Sequence, residues 1–404
     1  MLLRLAWRNL WRNPRRTAIV LAAVAIGIAG SLLSMAVNYG MVDQMVRTAI
    51  ETELGHIQIH AVGWEDDPKL ERMLADGGRA AEHVLASGPE LRASTRRVRV
   101  DGLAISARGS AGVAVMGVEP DREPAVSVLR DALLDGEWFG QSRLRAVIGQ
   151  ALADQLEVDV GDKIAVSVQD ALGELTGGGF RVAGTFRTSS SDFDRSTVLL
   201  RLAEAQQLLA LGGAVTEVVA VARDDDEIDA LAQRAVKSLG GTAEVRTWSE
   251  LQPLLLYMVQ TFDMMAWYLY AAVFIAMAFG IANVLLMSVH ERTREIGMLR
   301  AMGMRRGQVI VLVVLESLLV TIVGVVSGLG IGFAGALALR DGIDLSAFAE
   351  GLASYGVAPR IAPVLRPSDL LIPLVVAGIT AGLASWWPAI RATRYRPAEA
   401  LRRS

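Results

Sequence analysis

His290-Glu291 carries the first half of the His-Glu-x-x-His spacing that sets two imidazoles on one helix face around zinc. The position due to hold the second imidazole is Arg294, so metal-assisted hydrolysis is not expected there. His56 and His60 alternate along a β-rich run and are expected on one solvent-facing side of a strand, with no carboxylate companion to complete a metal site. Glu316 sits about 10 to 12 Å into an apolar run at 1.5 Å per residue, where an ionisable group suggests function. Pairing with an arginine, or capping polar backbone, is favoured there over proton or substrate handling. ATP hydrolysis needs Gly-x-x-x-x-Gly-Lys-Ser/Thr, because the lysine must reach the β and γ phosphates. Lys69, Lys163 and Lys237 are the only lysines and none follows a glycine, so the energy source is expected in a separate subunit. The chain has no cysteine, which excludes thiol chemistry and disulfides. No catalytic residue, metal ligand or bound cofactor is assigned to this chain.

What remains is recognition, and it concentrates in Ser288–Arg306, a charged helix candidate between two long apolar runs. Trp267–Val289 and Val309–Leu339 each supply the roughly 20 apolar residues that cross a hydrocarbon core about 30 Å thick. Thr17–Val37 and Leu370–Trp387 also qualify, the latter near the lower limit of length. None of the four contains Lys or Arg, which at a helix centre costs about 2.5 to 3.5 kcal/mol. The expected class is a membrane α-helical protein with four transmembrane helices in a 1+3 arrangement and a large extracytoplasmic α+β domain between helices 1 and 2.

Arginines set the orientation. Arg4, Arg8, Arg12, Arg15 and Arg16 precede the first span. Arg292, Arg294, Arg300, Arg305 and Arg306 lie between the second and third, and Arg391, Arg394, Arg396, Arg402 and Arg403 follow the fourth. Four spans place all three blocks on one side, which the positive-inside rule makes the cytoplasm, and such a basic face also suits anionic lipid. The net charge of −3 hides this, because the acids concentrate in the middle of the chain. Near the N-terminus, Leu3, Ala6, Trp7, Leu10 and Trp11 form a helical apolar stripe opposite Arg4, Arg8 and Arg12, as in a helix lying among lipid headgroups. Asn13-Pro14 breaks it, and the first span reads as an uncleaved anchor, since its apolar run exceeds a signal-peptide core.

The middle of the chain alternates short β-rich runs (56–61, 97–107, 112–118, 145–148, 163–168, 180–186, 197–200, 216–222 and 243–246) with helical stretches (78–85, 150–156, 202–211 and 226–239). Gly177-Gly-Gly179 reads as a hairpin turn. Ser249-Glu-Leu-Gln252 has capping-box spacing, so a helix is expected to start there and run into the second span, with a break near Asp263 as the alternative. Gly324, Gly328 and Gly332, and Ala23, Gly27 and Ser31, have small-xxx-small spacing. Close packing within the subunit or across a dimer competes with flexibility as the explanation.

Asn283-Val-Leu-Leu-Met-Ser-Val-His-Glu-Arg-Thr-Arg-Glu-Ile-Gly-Met-Leu-Arg-Ala-Met-Gly303 resembles the segment after the second span in FtsX-like and MacB-like permeases of ATP-binding-cassette systems. Trp387–Leu401 is similar to that family's C-terminal signature, Trp7–Arg12 to its opening, and Val147–Leu156 with Val160–Ile164 to its extracytoplasmic domain. The resemblance implies a dimer, with a second copy or a paralogue, and a cytoplasmic ATPase subunit that holds ATP and Mg and is gripped by a coupling helix. Glu291, Arg292, Glu295, Ile296, Gly297, Leu299, Arg300, Met302 and Gly303 would form that helix, Ile296, Leu299 and Met302 making its apolar edge. Substitution at Glu291 or Gly297 is expected to cost docking. The missing Walker lysine brings the chain closer to the lipoprotein-releasing LolC and LolE branch than to proteins with a fused ATPase.

The expected organisation is a cytoplasmic amphipathic helix at 1–16, a first span at 17–38 and a periplasmic MacB-like core domain with its stalk at 39–262. A second span at 263–290, the coupling helix at 291–308 and a third span at 309–339 come next. A short periplasmic loop at 340–369, a fourth span at 370–388 and a cytoplasmic tail at 389–404 complete it, in a bacterial inner membrane. The expected function is ATP-driven motion of the outer domain that extracts or exports an amphiphile such as a lipoprotein, lipid or hydrophobic peptide or drug. The alternative is an FtsX-like signalling scaffold that activates an extracytoplasmic partner such as a cell-wall hydrolase. A periplasmic carrier, adaptor or outer-membrane factor is a further partner the family admits, and no nucleic acid is expected. The carrier is doubtful here, because the region near Gln169–Phe180 is short and glycine-rich.

Overall fold

The structure, a computed structural model, describes residues 2–64, 70, 72–353 and 355–393. Residues 394–401 of the C-terminal signature, and with them Arg394, Arg396, Arg402 and Arg403, lie outside the described residues, as does Lys69. The chain opens with α1 (Leu2–Leu10) and α2 (Pro14–Ala49), which ends in a π-helical turn at Ile50–Leu54. There follow β1 (Ile57–His60), α3 (Arg79–Ala86), β2 (Leu91–Ile105), β3 (Ser110–Val118), β4 (Leu133–Gly136), β5 (Arg145–Gly149), α4 (Gln150–Leu156) and β6 (Lys163–Gln169). Next come β7 (Leu175–Phe186), α5 (Ser191–Ser196), β8 (Thr197–Arg201), α6 (Leu202–Leu208), β9 (Glu217–Ala222), α7 (Ile228–Leu239) and β10 (Glu244–Thr247). The short α8 (Trp248–Leu251) precedes α9 (Pro253–Glu291), α10 (Thr293–Ala301) and α11 (Arg306–Ala338). The loop elements β11 (Ile343–Asp344), α12 (Ala349–Ala353) and β12 (Arg360–Ile361) then lead to α13 (Ser368–Thr393). Two compact units result: one of Met1–Val42, Val259–Ile343 and Ile361–Ser404, the other of Asp43–Met258 and Asp344–Arg360.

In the helical unit, Thr17–Leu54, Pro253–Glu291, Arg306–Ala338 and Ser368–Thr393 are long and apolar enough to cross a membrane. Each helix outruns the apolar stretch that announces it, because a buried or solvated continuation needs no hydrophobic composition. α2 carries on past Val37 through Asp43, Gln44 and Arg47. α9 starts at Pro253, not Ser249, and passes Asp263 without interruption. The capping box is also displaced, with Thr247 and Glu250 as its members and α8 as its helix. The separation from α9 falls at Gln252-Pro253, where proline cannot donate to a preceding turn but suits the first position of a new one.

The glycines of α11 have one clear cause. A Cβ on Gly328 would lie 2.7 Å from the Ala25 carbonyl oxygen of α2, one on Gly324 2.9 Å from Val24 Cβ, and one on Gly332 2.9 Å from Leu32 Cδ2. Close approach of α11 to α2 within one subunit therefore accounts for the spacing. The receiving stripe on α2 is Val24, Ala25, Ile28, Ala29 and Leu32, not Ala23, Gly27 and Ser31; Gly27 meets Val273 of α9 at an ordinary 3.5 Å. On its other side α11 packs against α13, where Ser317 Oγ donates to the Ala381 carbonyl at 3.3 Å.

The other unit is built on a ten-stranded sheet of order β10-β1-β9-β2-β3-β8-β5-β7-β4, with β6 bridging β2 and β7. All nine expected β-rich runs and all four expected helical stretches of this region contain elements. β4 and α5 lie outside the expected set, since Leu-Leu-Asp-Gly and Ser-Asp-Phe-Asp-Arg-Ser lack β-branched or amphipathic patterning. The triple glycine is not a turn: Gly177, Gly178 and Gly179 sit inside β7 opposite Ser167, Val166 and Ala165 of β6. The hairpin turns at Asp170–Glu174, where Asp170 Oδ1 accepts from the Leu172 and Glu174 amides and Gly173 takes a φ of +80°. His56 and His60 are buried, not solvent-facing, because the sheet is covered on both faces at β1.

His56 Nδ1 accepts from the Ala222 amide at 3.0 Å, and burial lowers the imidazole's pKa despite Asp225 nearby. A proton on Nδ1 would face that N–H. The folded pKa thus lies below the unfolded one, so stability is present above about pH 6.5 and is lost as pH falls through the folded value. Thermal unfolding of this unit is expected to weaken on acidification by at most about 1.4 kcal/mol per pH unit, and His56→Gln to flatten that slope. An unchanged slope in the variant would contradict the assignment.

Candidate functional site

Between α9 and α11 the chain makes one helix and ties it down at several points. α9 ends at Glu291, Arg292 forms the corner, and α10 runs to Ala301 before Gly303, whose φ of +102° favours glycine. Arg292 uses both arms of its guanidinium. Nη1 lies 3.2 Å from Glu316 Oε1 on α11, and Nη2 donates to the Asn9 carbonyl of α1 at 2.8 Å. Asn9 Nδ2 donates to the same Glu316 oxygen at 2.5 Å, so three helices share one carboxylate. Both partners of the ion pair are about a tenth exposed. Around this centre Arg12 Nη1 meets Glu295 Oε2 at 2.7 Å, and Arg300 Nη1 donates to the Thr393 carbonyl at the end of α13 at 3.0 Å.

These contacts sort the expected site residues. Ile296 and Gly297 face inward, Ile296 joining the cluster of Val289, Val309, Val313 and Ala389, so neither lies on the exposed side of α10. Substitution at Gly297 would disturb packing before it tested docking. Leu299 and Arg300 are half-buried, Glu291 is exposed, and Met302 is 77% exposed with Met298 beside it at 45%. The outward apolar surface of this segment is therefore Met298 and Met302. Asn9, Arg12 and Thr393 are absent from the expected set, because their pairing is set by helices more than 90 residues apart in sequence. The arginine that answers Glu316 is Arg292, one residue past the end of α9.

The second unit has its own charged set. Cross-strand register puts Glu244 of β10 opposite His60 of β1, His60 opposite Glu217 of β9, and Glu217 opposite Arg97 of β2. His60 Nδ1 lies 3.1 Å from the Thr216 carbonyl and Nε2 2.9 Å from Gln58 Oε1. Arg97 is fully buried and gives Nη2 and Nε to the two oxygens of buried Glu123, at 2.5 and 3.1 Å, and Nη1 to the Glu53 carbonyl at 2.5 Å. Burial alone would favour its neutral form, but Glu123, Glu217 and Glu53 hold the guanidinium pKa above its ordinary value. Arg99 pairs with the Glu53 carboxylate. Among the described residues no group of three or more His, Cys, Asp or Glu gathers as metal ligands do.

Four membrane-length helices, an ion-paired helix after the second, and an α+β domain inserted after the first define a polytopic membrane protein. Residues 267–397 match the FtsX-like permease C-terminal family and residues 17–238 the MacB-like periplasmic core domain. The chain belongs to the FtsX-like permeases that carry a MacB-like periplasmic core domain. It is 24% identical over 419 residues to the pyoverdine export ATP-binding/permease protein PvdT of Pseudomonas fluorescens, covering 98% of this chain and 58% of that one. The macrolide export ATP-binding/permease protein MacB of Escherichia coli is 27% identical over 420 residues, 99% of this chain and 60% of its own length. The lipoprotein-releasing system transmembrane protein LolC of Xylella fastidiosa is 26% identical over 302 residues, 71% of this chain and 72% of its own. The chain thus spans less than two thirds of the length of the two export relatives.

Proposed function

We propose that this chain is the membrane subunit of an ABC-type system in a bacterial inner membrane, in which a separate cytoplasmic ATPase docks on α10 and drives movement of the periplasmic domain. The system extracts or exports an amphiphilic substrate, as the pyoverdine, macrolide and lipoprotein functions named for its relatives suggest. The observation that carries the reading is the exposed pair Met298, on α10, and Met302, which caps its end, on a segment whose opposite side is anchored through Arg292, Ile296 and Arg300. Flexible thioether side chains suit a groove on a partner, and a firmly held helix transmits a push instead of absorbing it. α9 is one continuous helix whose residues up to Met258 belong to the domain and whose residues from Val259 belong to the membrane unit, so it is a covalent route for that push.

Met298→Glu combined with Met302→Glu is expected to lower ATPase co-purification at least tenfold while the permease stays inserted with unchanged thermal unfolding. Wild-type recovery of the ATPase by this variant would place docking elsewhere.

A further inference from the structure

The charged row of the sheet borders a cavity of ≈ 650 Å³ that lies wholly within the second unit. Its size falls in the range of about 300 to 1,000 Å³ typical of small-molecule sites. Trp64, Leu54, Leu70, Val100 and Leu251 give it apolar walls, and among the described residues its charged lining is Glu53, Asp101, Asp170 and Glu217 with Arg99. Two of those carboxylates are already used. Glu53 is paired with Arg99, and Asp170 closes the β6–β7 turn. Asp101 and Glu217 are left facing the cavity.

Glu217 is the decisive residue. It is only 3% exposed, yet among the described residues no donor comes within hydrogen-bonding distance of its carboxylate. The nearest cation, Arg97 Nη1, stands 4.0 Å away, and the donors of that guanidinium go to Glu123 and to the Glu53 carbonyl. The Glu217 carboxylate opens on the cavity, so beyond the long pairing with Arg97 its hydrogen-bond donors come from whatever occupies that space. Trp64 adds an aromatic face to the same cavity, stacked on His60 with ring centroids 6.2 Å apart and planes within 4°. An anion and an indole on an apolar-walled cavity are complementary to an ammonium group on a hydrophobic body. Among the described residues the acids do not converge as the ligands of a metal ion do.

We infer that this cavity is a binding site for an amphiphilic organic cation, whose ammonium donates to Glu217 and whose apolar part lies against Trp64 and Leu54. The site is independent of ATPase docking on α10. A free small molecule and a basic side chain of a partner share this chemistry.

The probe is dansylcadaverine, a fluorescent primary amine, titrated into the full chain in phosphatidylcholine nanodiscs, with its N-acetyl derivative as the neutral control. Saturable binding is expected for the amine and at least tenfold weaker binding for the acetylated form. Glu217→Gln and the exposed Asp101→Asn should each weaken amine binding several-fold or more, with thermal unfolding recorded for both. Asp101→Asn keeps the test decisive where Glu217→Gln fails to fold. Displacement by a lysine-rich pentapeptide supports a partner's side chain as the natural occupant, and displacement by small amines alone supports a free molecule. Equal binding of the acetylated form, or wild-type affinity in every one of the two variants that folds, would overturn the inference.

Discussion

Arg292→Ala is expected to destabilise the α9–α10 corner by about 3 to 5 kcal/mol, the usual cost of leaving one partner of a buried ion pair uncompensated. Among the described residues Glu316 would then keep Asn9 Nδ2 as its one hydrogen-bond donor in an apolar run. Removing the carboxylate as well, in Arg292→Ala with Glu316→Leu, should restore much of the loss, because the penalty comes from the stranded charge and not from the missing attraction. Arg292→Lys should fall between. A lysine keeps the charge but has no planar fork to reach Glu316 and the Asn9 carbonyl together. Local opening is readable by trypsin, which cuts after Arg294, Arg300, Arg305 and Arg306. When opening is fast relative to cleavage, the rate follows the open population, so the single variant should be cut about a hundredfold faster or more. Cleavage of the double variant as fast as that of Arg292→Ala would show that the Glu316 pairing is not what holds the corner.

The site was legible in its parts and illegible in its direction. Residue types marked Ser288–Arg306 as one charged helix candidate, which the structure divides into the end of α9, a corner at Arg292, α10 and a turn before α11. They also marked Glu316 as a group that pairs with an arginine or caps backbone. The 3.6-residue period could group Ile296, Leu299 and Met302, but the fold turned Ile296 inward and Met302 outward. Only the positions of α1, α11 and α13 decide that. The same limit applied to His56 and His60: alternation puts them on one side of the run 56–60, which starts one residue before β1, and is silent on what covers that side. In the domain, strands rich in Val and Ile stood out, whereas β4 is held by its pairing with β7 and not by its own propensity. Gly177–Gly179 misled because glycine marks both turns and places of close backbone approach. Here a Cβ on Gly177 would come 3.1 Å from the Val166 carbonyl oxygen across the hairpin. Proline at 253, by contrast, was a local signal strong enough to have located the break before α9.

Arg97→Met should produce the other large effect, a loss of about 3 to 5 kcal/mol in the second unit, followed by urea unfolding through Trp64, Trp138 and Trp248. Arg97 and Glu123 are both at zero exposure, so no water replaces the guanidinium when it is removed. Glu123 would lose both of its charge-assisted bonds, the Glu53 carbonyl would lose its donor, and Glu217 would lose its nearest cation. The partner substitution separates charge from packing. Arg97→Met with Glu123→Leu fills a similar volume with apolar groups, and replacements of that kind are often neutral or stabilising by about 1 to 4 kcal/mol elsewhere. Here the recovery should be incomplete, because Glu217 stays behind in the register opposite residue 97. Adding Glu217→Gln should recover most of what remains while weakening amine binding. The row across β10, β1, β9 and β2 is therefore a compromise: Arg97 compensates the buried acids, yet its hydrogen bonds leave Glu217 open to the cavity. A loss below about 1 kcal/mol for Arg97→Met would mean that the sheet tolerates these charges unpaired, and would remove the reason to expect Glu217 to seek a ligand.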